Sequence, residues 1–292
     1  MPPEQLWGLL QGSVTATVSQ LAGVLGVFFI FGTVLYWLER LTTVSFLKTI
    51  GWKGVLLTAW LGTPIHELGH AFFCLVFGHK IRAIKLYQPD EATGMLGYVA
   101  HEYHPNNIIH QIGNFFIGAA PLIIGCAAMY AALYFLVPNS EQVIAATLRK
   151  SQLLTMTRDV TVQGQLLLNT GIDTLKLLFT QSNLYRVEFW IFLYIALCIA
   201  SHIAPSPADM RRVWGGLAAI VGVMLLINFI AQLSGSDITR QVLSINYYLG
   251  IAVAMFVFST VISLANFLFF YLLLSIYAWI CYRSWLNPFT VY

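Results

Sequence analysis

The chain has 292 residues, of which 58% are hydrophobic and 9% are charged, and its formal net charge is +3. Soluble domains carry about 25% charged residues, so this composition excludes an ordinary water-soluble fold. The small net charge, without a basic cluster that interleaves with aromatic residues, argues against a nucleic-acid partner.

Six stretches of the chain are apolar and long enough to cross a membrane, which takes about 20 residues of helix. Five of them lack Asp, Glu, Lys and Arg, and the second is interrupted by Glu67 and two histidines. In chain order they cover residues 5–38, 54–78, 103–140, 189–208, 213–236 and 241–282. The sequence therefore predicts an all-α polytopic membrane protein with about six transmembrane helices, the last of which could divide into two.

The segment between the second and third stretches has a different pattern. Residues 81–87 alternate between apolar and polar side chains and include β-branched residues. Residues 88–94 contain turn formers, and residues 95–103 have the same pattern as 81–87. This predicts a small membrane-associated β-hairpin over 81–103, with an ordinary cytoplasmic loop as the alternative. The segment 138–187 places basic residues among apolar ones at helical spacing, which predicts amphipathic helices at the membrane surface.

Residues His66-Glu67-Leu68-Gly69-His70 form an H-E-x-x-H motif inside the second stretch. Histidines four residues apart share one face of a helix, so both can bind one metal ion with Glu67 beside it. An unpaired charge at the centre of a bilayer costs about 2.5 to 3.5 kcal/mol, and a divalent cation removes that cost. The motif predicts a site for one zinc ion, with a satisfied polar cluster as the alternative.

Zinc in a catalytic site needs a third protein ligand and an open position. Asp209 is the best candidate, because Pro205 and Pro207 should break the helix before it where backbone lines a cavity. The alternative for Asp209 is a helix-end residue paired with Arg211 or Arg212. Three further histidines are interpreted as loop or interfacial residues: His101, His104 and His110.

These features together resemble the site-2 protease family of intramembrane zinc metalloproteases. The H-E-x-x-H helix resembles the family's zinc helix, segment 81–103 its membrane-associated β-loop, and the proline-rich approach to Asp209 its third-ligand segment. Residues 113–121, Gly-Asn-Phe-Phe-Ile-Gly-Ala-Ala-Pro, are similar to its third core helix, which is rich in small residues. The resemblance runs from the second to the fourth span.

The sequence also departs from the family pattern, which has Asn-x-x-Pro before the ligand and Asp-Gly at it. Ser201 stands eight residues before Asp209, and Met210 replaces the glycine. The family's asparagine is thought to help hold the substrate, a role that could pass here to Ser201 or His202. Asn114, in the third span, is a further candidate for substrate binding.

The resemblance implies a zinc metalloendopeptidase that hydrolyses peptide bonds in or near transmembrane segments of other membrane proteins. His66, His70 and Asp209 would hold the zinc ion, and Glu67 would act as general base. A catalytically silent relative or a metal-dependent membrane transporter is one alternative. The other is the second group of membrane H-E-x-x-H proteases, which use a glutamate as third ligand, for which Glu188 is the candidate.

The pattern divides the chain into an N-terminal anchor helix and loop (1–50), a catalytic core (51–212) and C-terminal transmembrane helices (213–292). Basic residues after the second, fourth and sixth spans predict that these short loops face the cytoplasm, although Arg40, Lys48 and Lys53 argue against it. His70 lies about 12 Å of helix before Gly78, so the site is expected nearer the cytoplasmic face.

Overall fold

The structure, a computed structural model, describes residues 2–157, 159–244 and 246–289. It is 78% helical. In chain order the elements are α1 (Pro3–Thr49), α2 (Trp52–Val76), β1 (Lys80–Lys85), β2 (Tyr98–Glu102), α3 (Ile108–Leu136), α4 (Ser140–Met156), α5 (Val160–Leu178), α6 (Gln181–Leu184), α7 (Val187–Ala200), α8 (Pro207–Leu233), α9 (Thr239–Ser244) and α10 (Asn246–Tyr282).

Four helices of the described chain are long and apolar enough to cross a membrane: α1, α3, α8 and residues Leu249–Tyr282 of α10. This supports the predicted integral membrane protein. Helix α2 has 25 residues but is less apolar because it carries the H-E-x-x-H motif, and α7 is apolar but has 14 residues. Helix α1 is continuous through residue 49, so the predicted loop of the anchor unit is helical.

Helices α2 and α7 run side by side in the same direction. Gly62 of α2 lies against the backbone of Cys198, and one turn later His66 bonds to the carbonyl of His202, just past the end of α7. A side chain at Gly62 would collide with the Cys198 carbonyl. The absence of a side chain therefore lets the two helices approach at backbone distance.

Helix α3 runs opposite to α2. A Cβ on Gly69 would lie 3.1 Å from the carbonyl oxygen of Ala120, and a Cβ on Gly113, nearer the start of α3, would lie 2.6 Å from Phe77, just past the end of α2. Small residues thus form the contact between α2 and α3 as well. This agrees with the small-residue-rich sequence of residues 113–121 in the third span.

Helix α8 is antiparallel to α3 and therefore runs in the direction of α2 and α7. A Cβ on Gly118 would lie 2.5 Å from the carbonyl oxygen of Asp209, while Gly216, two turns further along α8, lies against the backbone of Phe115. The chain does not reverse at residues 201–206. The predicted fourth and fifth spans are consecutive pieces of one path, broken beside the two prolines as the sequence predicts, and the expected domain boundary after residue 212 falls inside α8.

Helix α1 runs opposite to α8. The Gln20 amide donates to Asn228 near the end of α8 at 3.0 Å. Further along α1, Glu39 accepts a hydrogen bond from the backbone N–H of Ala204, which precedes α8. Helix α1 therefore begins where α8 ends.

Helix α10 runs parallel to α1. Phe31 stacks on Phe256 with ring centroids 6.0 Å apart, and Phe46 meets Phe270 at 4.7 Å. The start of α1, the end of α2 and the β-strands consequently share one end of the bundle, here called the hairpin end. Helix α10 finishes at the opposite end, so the loops after the second and sixth spans, expected on one side, lie at different ends.

The predicted β-hairpin is confirmed. Strands β1 and β2 pair antiparallel, with Lys80 opposite Glu102 and Ile84 opposite Val99, and an irregularity falls between Ile81 and Ala83. Val99 is buried against α2 and α3. The hairpin therefore packs on the helices that carry the motif.

Segment 138–187 contains helices, as predicted, and these helices pack against the bundle. Helices α4 and α5 pack against each other and against α10. Lys150 of α4 pairs with Asp173 of α5, and Val143 and Leu178 are fully buried in the main core. The segment is thus a helical hairpin attached to the bundle.

Two histidines fix the β-hairpin to the helices. A carbonyl can only accept, so His79 Nε2–H donates to the carbonyl of His110 at 3.0 Å. Neutral His79 therefore accepts from His101 Nδ1–H at 3.0 Å. His101, expected in a loop or at the interface, lies in β2, and its buried Nε2 has no hydrogen-bond partner among the described residues.

Acid should loosen the hairpin. Burial lowers the pKa of the His101 imidazole to about 4, whereas a histidine in an unfolded chain has a pKa of about 6.5. The anchoring is therefore fully present above about pH 6.5 and is lost as the pH falls toward 4, because the detached state binds more protons. Hydrogen exchange of the β1 and β2 amides, corrected for the intrinsic rate, should be faster at about pH 5 than at neutral pH.

The matched pair of variants is His101→Phe and His104→Phe. Burial also lowers the pKa of His79, so replacing His101 should reduce this pH dependence to the part that His79 contributes, and replacing the exposed His104 should leave it intact. Equal pH dependence in both variants would contradict the assignment.

Candidate metal centre

Helix α2 presents His66 and His70 on one face, with ring centroids 5.0 Å apart. Each ring is held through Nδ1 by a backbone carbonyl: His66 by the His202 carbonyl at 2.9 Å and His70 by the Ile117 carbonyl at 2.7 Å. Since a carbonyl cannot donate, both Nδ1 atoms carry the proton. In the neutral imidazole, Nε2 then carries the lone pair, as in metal-binding histidines.

Asp209 lies opposite these two nitrogen atoms. Its Oδ2 is 3.7 Å from His66 Nε2 and its Oδ1 is 3.4 Å from His70 Nε2. Two ligands about 2.0–2.1 Å from a tetrahedral ion are about 3.4 Å apart, so the spacing fits a shared cation. The three ligand atoms lie within 4.8 Å of one another, and the predicted set of two imidazoles and one carboxylate could hold a metal ion.

The first turn of α8 fixes the Asp209 carboxylate. The backbone N–H and the hydroxyl of Ser206 donate to Oδ2 at 2.9 and 2.6 Å, and the Asp209 N–H donates back to the Ser206 oxygen at 3.2 Å. This is a capping box, in which residues three apart satisfy each other's backbone N–H groups. The helix start thereby aims the carboxylate at α2.

Arg212 also contacts the carboxylate, with Nη1 3.0 Å from Oδ1 of Asp209. The sequence left open whether Asp209 pairs with an arginine or faces the histidines. The structure has both contacts on the same side chain. The guanidinium holds one oxygen, as an outer partner of a ligating carboxylate commonly does.

Glu67 is 6% exposed and lies beside the three-residue group. A Cβ on Gly97 of the β-hairpin would lie 3.0 Å from the Glu67 Cγ. The glycine thus allows the hairpin to cover the glutamate closely. Among the described residues the Glu67 carboxylate has no hydrogen-bond or ion-pair partner, so it is free to act on a molecule in the site.

A cavity of about 670 Å³ opens beside these residues, within the range of ligand-binding sites. It lies between α1, the motif, the β-hairpin and the break before α8. Its walls include Tyr36, Glu39, Arg40, Thr43, Thr63, Glu67, Gly94, Met95, Leu96, Tyr98, His202, Pro205 and Arg212. Both apolar and charged groups therefore face the same space.

The three residues predicted to bind substrate occupy different environments. His202 lines the cavity, and its ring Nε2 lies 3.0 Å from the Thr58 hydroxyl. Ser201 is buried, and its hydroxyl accepts from the Asn266 amide at 3.0 Å. Asn114 is buried on α3, and its Oδ1 is unpaired among the described residues. Of the three, His202 faces the cavity.

The rival third ligand, Glu188, lies exposed in the first turn of α7, away from the group formed with Asp209. Sequence reasoning overlooked Glu39, which lines the cavity and bonds to the break. The available signal was its position as the charged residue that ends the first apolar stretch. Its partner is a backbone N–H far along the chain, which no sequence pattern marks.

No family model, curated protein or solved structure matches this chain.

Removing the Asp209 carboxylate should weaken zinc binding. Asp209→Ala deletes a proposed ligand, so the loss of affinity should exceed the 10 to 100-fold that is typical of an outer partner. Ser206→Ala removes one hydrogen bond to that carboxylate and should fall within this range. Competition with a chelator and metal analysis of purified protein measure both effects.

The matched control is Asp237→Ala, which makes the same change at an exposed position after α8. It should retain wild-type affinity. Unchanged zinc affinity in Asp209→Ala would show that another residue completes the centre.

Proposed function

We propose that this protein is an intramembrane zinc metalloprotease, which hydrolyses peptide bonds in or near the transmembrane segments of other membrane proteins. One observation carries the proposal. Glu67 has a free carboxylate beside two imidazole nitrogens and the Asp209 carboxylate, in a cavity among apolar helices. The carboxylate faces the same cavity as the three groups that could hold a metal ion.

The donor set favours zinc, because two histidines and one carboxylate leave one of four positions open, as in other catalytic zinc sites. Zinc bound there would supply a Lewis acid that polarises a carbonyl and makes water more acidic. Arg212 and Ser206 would hold the Asp209 carboxylate in place. The carbonyls of His202 and Ile117 would keep both imidazoles in the ligating tautomer.

Glu67 would carry the proton through the reaction. Its carboxylate accepts a proton from water as the water oxygen attacks the scissile carbonyl carbon. The same carboxyl then donates that proton to the amide nitrogen as the carbon–nitrogen bond breaks. One water is consumed, and Glu67 returns to its starting state.

The substrate must present an extended segment, because the peptide bonds of a helix are closed by hydrogen bonds. Gly94 to Val99 of the β-hairpin line the cavity beside Glu67. A two-stranded sheet leaves an unpaired edge on each strand, and an unwound segment can bind there by strand addition. The unpaired strand edge thus favours a substrate that is itself a membrane protein and that unwinds in the lipid bilayer.

We further propose that six helices lie in the membrane, with α7 and α8 forming one broken crossing. The other four are α1, α2, α3 and α10. Lys80, Arg82 and Lys85 of the β-hairpin favour a cytoplasmic location for the hairpin end of the bundle. The proposed site then lies nearer the cytoplasmic face.

This orientation places the start of α1 inside and the end of α10 outside. Single cysteines introduced near residues 4 and 285 should be labelled from opposite sides by a membrane-impermeant thiol reagent, in a Cys281→Ser background, since native Cys281 is exposed. Labelling of both from the same side would contradict the proposed crossing.

Glu67→Gln should abolish cleavage while zinc stays bound. The amide keeps the shape but cannot take up the proton, and loss of general-base catalysis lowers rates by about 10² to 10⁴-fold. Purified protein with a transmembrane substrate in proteoliposomes, followed by mass spectrometry of the products, measures this.

The matched control is Glu141→Gln, at an exposed position of α4, which should cleave at the wild-type rate. Wild-type cleavage by Glu67→Gln would refute the assigned base. Zinc bound by a wild type that cuts no substrate, or that moves zinc across the vesicle membrane, would favour the silent relative or the transporter.

A further inference from the structure

The break between α7 and α8, residues 201–206, carries two parts of the metal centre. The carbonyl of His202 holds the His66 ring, and Ser206 holds the Asp209 carboxylate. The backbone N–H groups of Ser201 and His202 bond to the last turn of α7, and the Ser206 N–H bonds to Asp209 of α8. Residues 203–205 lie between these two ends and outside both helices, so contacts with neighbouring helices fix their position.

Two such contacts come from α2 and α10. The Thr58 hydroxyl of α2 lies 3.0 Å from His202 Nε2, and the Asn266 amide of α10 donates to Ser201 at 3.0 Å. Both act on the first two residues of the break. They leave residues 203–205, between His202 and Ser206, to be held by another group.

Helix α1 supplies that group through Glu39. Its carboxylate accepts a hydrogen bond from the backbone N–H of Ala204, which lies midway between His202 and Ser206. Ala204 is buried, and Glu39 is partly buried beside the cavity. A carboxyl oxygen can accept this hydrogen bond whether or not the group is ionised.

A carboxyl group is a costly way to stabilise an apolar bundle, because removing a polar group from water costs free energy that a methyl group does not. Glu39 is not a member of the three-residue metal group. It bonds to the Ala204 peptide, which lies between His202 and Ser206, the two residues that hold His66 and Asp209. The carboxyl group is therefore better explained by the geometry of the break than by the stability of α1.

We propose that Glu39 is a positioning residue for the metal centre, which holds the Ala204 peptide so that His202 orients His66 and Ser206 orients Asp209. This inference rests on the proposed zinc site. It makes α1 part of the working centre, although the three proposed ligands lie on α2 and α8.

Glu39→Met and Glu39→Gln separate positioning from stability. Methionine has a similar length and suits an apolar helix, but it leaves the Ala204 N–H without an acceptor. Zinc affinity, measured well below the melting temperature of the metal-free variant, should fall 10 to 100-fold, as for other outer partners of a metal site. Glutamine keeps an acceptor oxygen and should restore affinity to within a few-fold of the wild type.

Glu4→Met, the same change at an exposed position of α1, is the control and should bind zinc like the wild type. Two results would overturn the inference. They are wild-type affinity in Glu39→Met, and equal loss of affinity in Glu39→Met and Glu39→Gln. A wild type that binds no zinc would instead remove the proposed function, and this inference with it.

Discussion

Two backbone carbonyls determine what the centre of this protein can do. A neutral imidazole has one proton, and an N–H without a partner in an apolar bundle costs about 1–3 kcal/mol. The carbonyls of His202 and Ile117 take the protons of His66 and His70 at 2.9 and 2.7 Å, so both remaining lone pairs turn toward Asp209. The chemistry of the site follows from this choice of tautomer.

The helix packing serves to deliver those two carbonyls. Glycines at positions 62, 69 and 118 lie where a side chain would meet the backbone of a neighbouring helix. In lipid, where apolar side chains give little preference for a neighbouring helix over lipid tails, such close contacts are a main source of helix association. They bring α3 and the end of α7 against α2, which places one carbonyl beside each histidine.

The break between α7 and α8 places open backbone among these closely packed helices. Lipid does not tolerate open backbone unless it lines a cavity, and the break does line one. It supplies a carbonyl to His66 and, through the first turn of α8, a carboxylate to both imidazoles. An apolar bundle thus acquires polar groups at its centre without exposing them to the hydrocarbon.

Sequence alone predicted the parts of this site that depend on local chemistry. The spacing of His66 and His70, the strand pattern after α2 and the prolines before Asp209 each indicate a local conformation, and the structure has all three. The sequence did not predict that α7 and α8 run in the same direction. Hydropathy marks the length of an apolar stretch and not whether the chain reverses after it.

The missed contacts have a related physical origin. The partners of Glu39 and His79 are a backbone N–H, a backbone carbonyl and a second imidazole from distant parts of the chain. Such partners have no signature in composition or spacing. The packing of α4 against α10 was likewise hidden, because an amphipathic helix shows that it has an apolar face and not what covers that face.

X-ray absorption at the zinc edge of purified protein would report which atoms ligate the metal. We expect one zinc ion per chain with two imidazole nitrogens and oxygen ligands at about 2.0–2.2 Å, and no sulfur ligand. A zinc–sulfur distance of about 2.3 Å, or a single imidazole in the fitted shell, would contradict it.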